Sequence, residues 1–422
     1  MTDLPKRPDL QVAQAFLAEL AKIRDVDGGV RRDSYGEGEN RAHRIFRETA
    51  VSLGATWRQD AACNSYARIE GQDPSRQLII GSHLDSVPTG GNFDGAAGVA
   101  LGLAVLGGFI ASDTRPPVSI TVMAIRAEES TWFNASYIGS RAALGVLAPE
   151  ELTQVVRADS GQSLGDAIVE SGGTLAPLVR RAPQIDLGSI TGFIEPHIEQ
   201  GPALIAENMP VAAVTGIRGS FRYRSARCLG AYAHSGATPR DVRQDSIAAT
   251  ARLVATMDEL WEHLENEGHD LTVTFGRFES DPRHHAFSKV AGEASFCLDV
   301  RSASDDTLER VHADLLRLVS EIESSHRVRF DLGERTGSDP AVLSTELVQG
   351  LTEAARASGA PCHLMASGAG HDAAAFCAAA VPSAMLFIRN RNGSHNPDEH
   401  MSEADFNIAA EVLLAFCKRH HG

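Results

Sequence analysis

The chain has 422 residues, a length that favours two or three domains and a core large enough to need no disulfide or metal staple. Its 39 Lys and Arg stand against 55 Asp and Glu, a net charge of −16, the wrong sign for a protein that gains affinity by neutralising nucleic-acid phosphates. Cys63, Cys228, Cys297, Cys362, Cys377 and Cys417 are scattered without a CxxC pair, which argues for a reducing compartment and against a thiolate metal site.

The opening Met1-Thr-Asp-Leu-Pro-Lys-Arg-Pro8 has no apolar run after its charges, so a cytoplasmic protein without a secretion signal is expected. Residues 10–24 carry helical periodicity, Asp27-Gly-Gly29 and a charged loop follow to Asn40, and 41–53 reads as a second helix. Alternation from Thr56 to Ile69 predicts a hairpin. The apolar run Gln77-Leu-Ile-Ile80 predicts a buried strand and the run from Val99 to Leu106 a buried helix. Between them His83 and Asp94 offer a nitrogen and a carboxylate, a pair that suits zinc, manganese or cobalt better than calcium. Asp85, two residues on, is placed to hold the imidazole by its second nitrogen, and Gly90, Gly91, Gly95 and Gly98 let the backbone pass close to an ion. The longest apolar run, from Ala96 to Ala111, is broken by glycines and falls short of the roughly 18 residues of a membrane span, so no membrane partner is expected.

After Pro116-Pro117 the run from Val118 to Ile125 reads as a buried strand that delivers Glu128-Glu129. Neighbouring strand-end residues point in opposite directions, so one carboxylate can bind a metal while the other takes a proton from water. The same design recurs: Leu78–Ile80 leads to His83, Ile190–Ile194 to His197 and Ala384–Ile388 to His395. Each puts a ligand type just past the carboxyl end of a strand, where open α/β sheets bind ligands. Between 211 and about 330 the order becomes strand, strand, helix, strand, strand, helix, strand. Val254, Met257, Trp261 and Leu264 mark one helix face, and Leu308, Val311, Leu315, Leu318 and Ile322 the other. The expected architecture is α/β: a mostly parallel-sheet metallohydrolase domain over 1–210 and 331–422, interrupted over 211–330 by an α/β sandwich of ferredoxin-like kind. His234 and Arg301 are polar groups in otherwise apolar stretches of that insert.

His83-Leu-Asp85, Asn92-Phe-Asp94-Gly95, Glu128-Glu129, His197-Ile-Glu-Gln200-Gly201, Gly230-Ala-Tyr-Ala-His234-Ser-Gly-Ala-Thr-Pro239 and Gly393-Ser-His395-Asn-Pro397 together resemble the N-carbamoyl-L-amino-acid hydrolase branch of the two-zinc aminoacylase and carboxypeptidase-like superfamily. That branch includes β-ureidopropionase and allantoate amidohydrolase. The resemblance runs from about residue 80 to about 400. It implies that His83 and His197 hold one divalent metal, that Glu129 and His395 hold a second, and that Asp94 bridges them; zinc is the expected ion, with manganese, cobalt and nickel as alternatives. It implies Glu128 as general base and acid, with Gln200, His234, Arg301 and the Gly370 backbone as substrate contacts. His234 is similar to the residue that family members lend to the partner subunit, so a homodimer is implied. Ser288, thirteen residues before Arg301, stands where relatives often carry a substrate-binding Asn, and Pro196 stands where an aliphatic residue is expected. The implied function is hydrolysis of the linear C–N bond of N-carbamoyl-L-amino acids, small carboxylate substrates, with allantoate amidohydrolase or an aminoacylase- or dipeptidase-type hydrolase as alternatives. A fold that kept its shape and lost its chemistry is the non-enzymatic alternative, and an intact ligand set with Glu128 speaks against it.

Overall fold

The computed structural model describes residues 5–25 and 28–422, so the first half of the opening segment and Asp27 of the expected turn lie outside the described residues. The chain divides into two compact units, Met1–Thr215 with Leu343–Gly422, and Gly216–Val342.

In the first unit the centre of the sheet is parallel, with strands in the order Val118–Ile125, Asp73–His83, Ile190–Ile198, Ser383–Ile388. Parallel neighbours need long crossovers, and the connections here carry helices. Antiparallel strands extend both sides: the hairpin Thr56–Gln59 and Ser65–Ile69 beyond Val118–Ile125, and Val211–Ile217 beyond Ser383–Ile388. The central strands are buried along their apolar runs, which is why they read as continuous hydrophobic stretches rather than alternating ones. Helix Ala96–Ala111, longer than its apolar centre predicts, is buried almost all round because it lies between the sheet and the helices Leu10–Leu20 and Glu403–Cys417. Gly102 sits so close to Val122 that an added Cβ would approach it to 2.8 Å. A separate cluster that includes Trp132, Phe133, Ile138, Leu152, Leu164 and Ile168 packs together in the same unit.

Two helix ends differ from expectation. The first helix stops at Leu20, and the second begins at Glu37 rather than at residue 41, with Glu37 and Glu39 in its first turn, where negative charge meets the positive end of the helix dipole. The strands are also longer than their apolar cores: His83 and His197 lie on the strands themselves rather than past their ends.

The second unit is an antiparallel sheet in the order Arg329–Asp331, Gly219–Leu229, Glu293–Ser302, Thr272–Ser280, with Arg335–Ser338 also paired to Gly219–Leu229. Burial alternates residue by residue along Glu293–Ser302, the mark of a sheet covered on one face. Helices Ser246–Asn266 and Asp305–His326, capped by the Asp245 and Ser304 side chains, provide that cover. Leu308, Val311, Leu315, Leu318 and Ile322 are all buried. On the other helix Leu253 rather than Val254 enters the core, and Val254 lines a surface groove of about 400 Å³ with Trp261, Phe275 and Phe278. No helix among the described residues is long and apolar enough to cross a membrane.

Candidate functional site

The carboxyl ends of the parallel strands bring together five of the expected residues. His83 Nε2 and His197 Nε2 lie 3.3 Å apart, and Asp94 Oδ1 is 3.3 Å from the first and 3.0 Å from the second. The other Asp94 oxygen, Oδ2, faces His395 Nε2 at 3.4 Å, and that nitrogen lies 3.2 Å from Glu129 Oε1. His83, Asp94 and His197 thus form one possible ligand group and Asp94, Glu129 and His395 another. All are buried except His395, whose side chain is about half exposed.

The hydrogen bonds at the far side of each ring test whether a cation fits. His83 Nδ1 lies 3.1 Å from the Asp85 carbonyl oxygen, and His197 Nδ1 lies 2.9 Å from that of Ile198. A carbonyl accepts only, so each Nδ1 carries a proton, and in its neutral form each ring presents a bare Nε2 lone pair. Two such lone pairs and a carboxylate oxygen then face one another at about 3 Å, and Asp94 Oδ1 is buried without a hydrogen-bond donor. Donors of this kind repel one another unless a positive charge lies among them, and nitrogen with carboxylate oxygen is a zinc-type set. Burial disfavours charge on His83, yet its hydrogen bonds to Asp85 and Asp94 and the charge of Glu128 raise its pKa well above the usual value. A metal ion meets the same negative field. Burial also works against ionised Asp94, but the charge of His197 and the hydrogen bonds from His197 and His83, when those rings are protonated, hold its pKa well below the usual range.

Local backbone explains how these groups converge. Gly95 has φ +65°, and a Cβ there would come within 2.6 Å of the His83 ring, so only glycine lets the chain turn beneath that imidazole. Ala127 is left-handed at φ 50° and breaks the line of the Val118–Ile125 strand just before the glutamate pair. Its N–H donates to Glu39 Oε1 at 2.9 Å, and the other Glu39 oxygen accepts from Tyr35 N and from Arg126. The N–H groups of Glu128 and Glu129 donate to the two oxygens of Asp85, each at 3.1 Å, and Ser34 Oγ donates to Asp85 Oδ2 at 2.6 Å. Asp85 therefore ties the first histidine to the glutamate pair. Burial pushes the Glu128 carboxyl well above its ordinary range; His83 pulls it down, and Glu129 and Asp372 add to the rise. The hydrogen bond to Glu129 lifts His395 to about 9 against the effect of burial.

Gln200 Nε2 donates to Asp94 Oδ2 at 3.0 Å, and its Oε1 is buried without a partner. Glu199 folds the loop that carries it by accepting from Ala203 N and Leu204 N. Gly370 is exposed, and a Cβ there would strike the Tyr137 hydroxyl, so a side chain at 370 cannot be added without moving Tyr137. His234, Ser288 and Arg301 belong to the second unit. There His234 is exposed and pairs in register with Lys289, next to Ser288, whose carbonyl accepts from Ser235 N. Ala237 N–H donates to His234 Nδ1 at 3.2 Å, which leaves the proton of the neutral ring on Nε2. Arg301 Nη2 and Nε both donate to Asp299 Oδ2, at 2.8 and 3.0 Å.

Nothing in the sequence marks Ser34, Glu39 or Tyr137, or Glu399, which accepts from the backbone N–H groups of Phe93 and Asp94. Glu39 is fully buried on a helix first turn, where a glutamate ordinarily reads as a solvent-facing dipole partner, so no local signal separates the two.

The profile of Peptidase family M20/M25/M40 matches residues 79–419. The chain is 33% identical over 421 residues to an N-carbamoyl-L-amino-acid amidohydrolase of Paenarthrobacter aurescens, covering 97% of this chain and 98% of that one. It is 30% identical over 390 residues to an allantoate amidohydrolase of Bacillus subtilis, covering 92% of each. A crystal structure of an amidase of the hydantoinase/carbamoylase family from Burkholderia multivorans aligns with TM-score 0.89 and 27% identity over 99% of both chains.

Proposed function

This chain belongs to Peptidase family M20/M25/M40, and from that premise we propose that it is a divalent-metal amidohydrolase acting on the linear C–N bond of N-carbamoyl-L-amino acids. The observation that carries the reading is the shared Asp94, whose two oxygens face two separate ligand groups, beside a buried Glu128 that belongs to neither. His83 and His197 would hold one metal, Glu129 and His395 the other, and Asp94 both; zinc is the ion that the donor set favours. Bound there, the metals supply Lewis acidity, which polarises a carbonyl and acidifies water.

The chain's own residues do the rest. Glu128 takes the proton of the attacking water and returns it to the nitrogen that leaves; a carboxyl pushed upward by burial is suited to both halves of that transfer. The bond between the carbamoyl carbon and the amino-acid nitrogen breaks, releasing the amino acid and carbamate. Gln200 orients the ureido group from beside Asp94, with the Gly370 backbone as a second contact. His234, its proton on Nε2, donates to the oxygen on which charge develops, and by the family resemblance it does so in the partner subunit's site. Arg301 reads the α-carboxylate, and Ser288 takes the place of a longer amide. The working form is then a homodimer.

Metal analysis of protein purified without chelator, followed by assays on N-carbamoyl amino acids, ureidopropionate and allantoate, tests this. We expect close to two divalent ions per chain and turnover of N-carbamoyl-L-amino acids. Turnover of allantoate alone would replace the substrate assignment, and absence of both metal and turnover would overturn the reading.

A further inference from the structure

Glu399 lies four residues after His395, is almost completely buried, and has no role of its own in the proposed chemistry. Its Oε1 accepts from two successive backbone amides of the other ligand loop, Phe93 N at 2.7 Å and Asp94 N at 3.1 Å. Gly91 lies against the same carboxyl group: a Cβ there would come within 2.3 Å of both Glu399 Cδ and Oε1. The loop of residues 390–398 that carries His395 toward Glu399 is itself stiffened. Asn390 donates to the Gly393 carbonyl, Asn392 to that of Asp398, and Asn396 to those of Asn392 and Ser394. His395 sits at φ 61°, a left-handed conformation uncommon outside glycine although histidine enters it more readily than most residues. A half-exposed histidine on a loop could otherwise sample many positions.

We propose that Glu399 is a positioning residue that clamps the Asp94 loop to the His395 loop and so sets the spacing of the ligands in the second metal group. Two N–H groups converging on one oxygen fix the Asp94 backbone relative to Glu399, and the asparagine-stitched segment carries that constraint to His395. The proposal rests on the reading that Asp94 and His395 hold metal. It assigns the clamp to acceptor geometry, which a glutamine oxygen reproduces and an alanine does not.

The test is calorimetric titration of the metal-free full-length chain with zinc, in the wild type and in Glu399→Ala, Glu399→Gln, Gly91→Ala and the double variant Gly91→Ala/Glu399→Ala. Groups that orient metal ligands typically cost 10–100-fold in affinity when removed, so Glu399→Ala is expected to weaken at least one ion by about that factor. Glu399→Gln is expected to stay within about threefold of the wild type, because its amide oxygen still accepts both N–H groups. Gly91→Ala pushes on the same carboxyl from the opposite loop and is expected to weaken zinc as well. The double variant is then expected to be no worse than the weaker single one, since neighbours sharing one contact do not add. Unchanged affinity in Glu399→Ala, a Gln variant as weak as the Ala variant, or additive losses in the double variant would each overturn the clamp. If Glu399→Ala does not fold, Gly91→Ala decides, and wild-type zinc affinity in it overturns the proposal. A wild type that binds no zinc removes the metal reading itself, an outcome distinct from a wild type that binds it and variants that bind equally well.

Discussion

Glu128 and Glu129 are neighbours in the chain, yet their surroundings differ: Glu129 faces His395, and Glu128 lies buried in the field of His83 and Asp372, and the proposed function gives them separate roles. Replacing Glu128 by Gln is therefore expected to leave metal content intact and to lower kcat by on the order of 10² to 10⁴, the usual size of a general-base contribution. Glu129→Gln should lose metal first. Metal analysis beside steady-state kinetics separates the two, and the opposite pattern would exchange their roles. Arg301 offers a second test at this scale. Its guanidinium is held by Asp299, which also accepts from Arg222, so a salt bridge and a carboxylate reader are both open to it. Arg301→Lys should raise KM sharply for the acid substrate, since a point charge lacks the planar fork, and should cost the matching uncharged amide little. Equal losses would assign Arg301 to structure. The candidate ligand group was legible in the sequence because most of its members come at or just past the end of an apolar run and sit in compact strings such as His83-Leu-Asp85. Ser34, Glu39 and Tyr137 were not legible, because each reaches the site from a separate loop or helix through hydrogen bonds or a close approach that no string in the sequence marks.

Among the elements, the helix Glu37–Leu53 carries a buried charge question of its own. His43 packs against the strand Ser65–Ile69 with Nδ1 at 3.0 Å from Ser65 Oγ, and burial, with Arg126 nearby, lowers its pKa well below the usual value. The folded chain keeps His43 neutral, whereas the unfolded chain protonates it near pH 6.5, so protons favour unfolding. Its contribution to stability is complete above about pH 6.5 and is lost below it at up to about 1.4 kcal/mol per pH unit. Urea unfolding of chelator-treated protein between pH 7.5 and 5.5 should show a shallower slope in His43→Asn than in the wild type, and equal slopes would refute the assignment. On the helix Asp305–His326 all five positions expected from periodicity are buried, because the apolar stripe is broad, and Thr307 and Val319 join them. On Ser246–Asn266 the stripe was displaced, because Val254 is as apolar as Leu253 and only the packing decides which of two neighbours enters the core. Strand ends were misjudged for the opposite reason. His83 and His197 are polar, so hydropathy stops before them although hydrogen bonding does not.

For the whole molecule, the α/β class follows from strands alternating with helices and the hairpin from the alternation of Thr56 to Ile69, while the antiparallel pairing of Ser65–Ile69 and Val211–Ile217 onto the parallel centre did not show in the sequence, because those partners are far apart in the chain. Subunit cooperation is the prediction that belongs here. Mixing inactive Glu128→Gln with inactive His234→Ala chains should restore about a quarter of wild-type activity after full exchange, because half the dimers are hybrids with one complete site. No recovery after verified exchange would confine His234 to its own chain. The inserted second unit has a further consequence, for the order in which the protein is made. Strand Ile190–Ile198 gains one neighbour from Asp73–His83, already synthesised, but its other edge waits for Ser383–Ile388, which leaves the ribosome only after all of Gly216–Val342. Until then a nascent chain carries an open parallel edge beside a glycine-rich helix that lacks its Glu403–Cys417 cover. Such late, non-local closure favours slow folding and an intermediate prone to associate, so the last forty residues are expected to weigh on the folding yield.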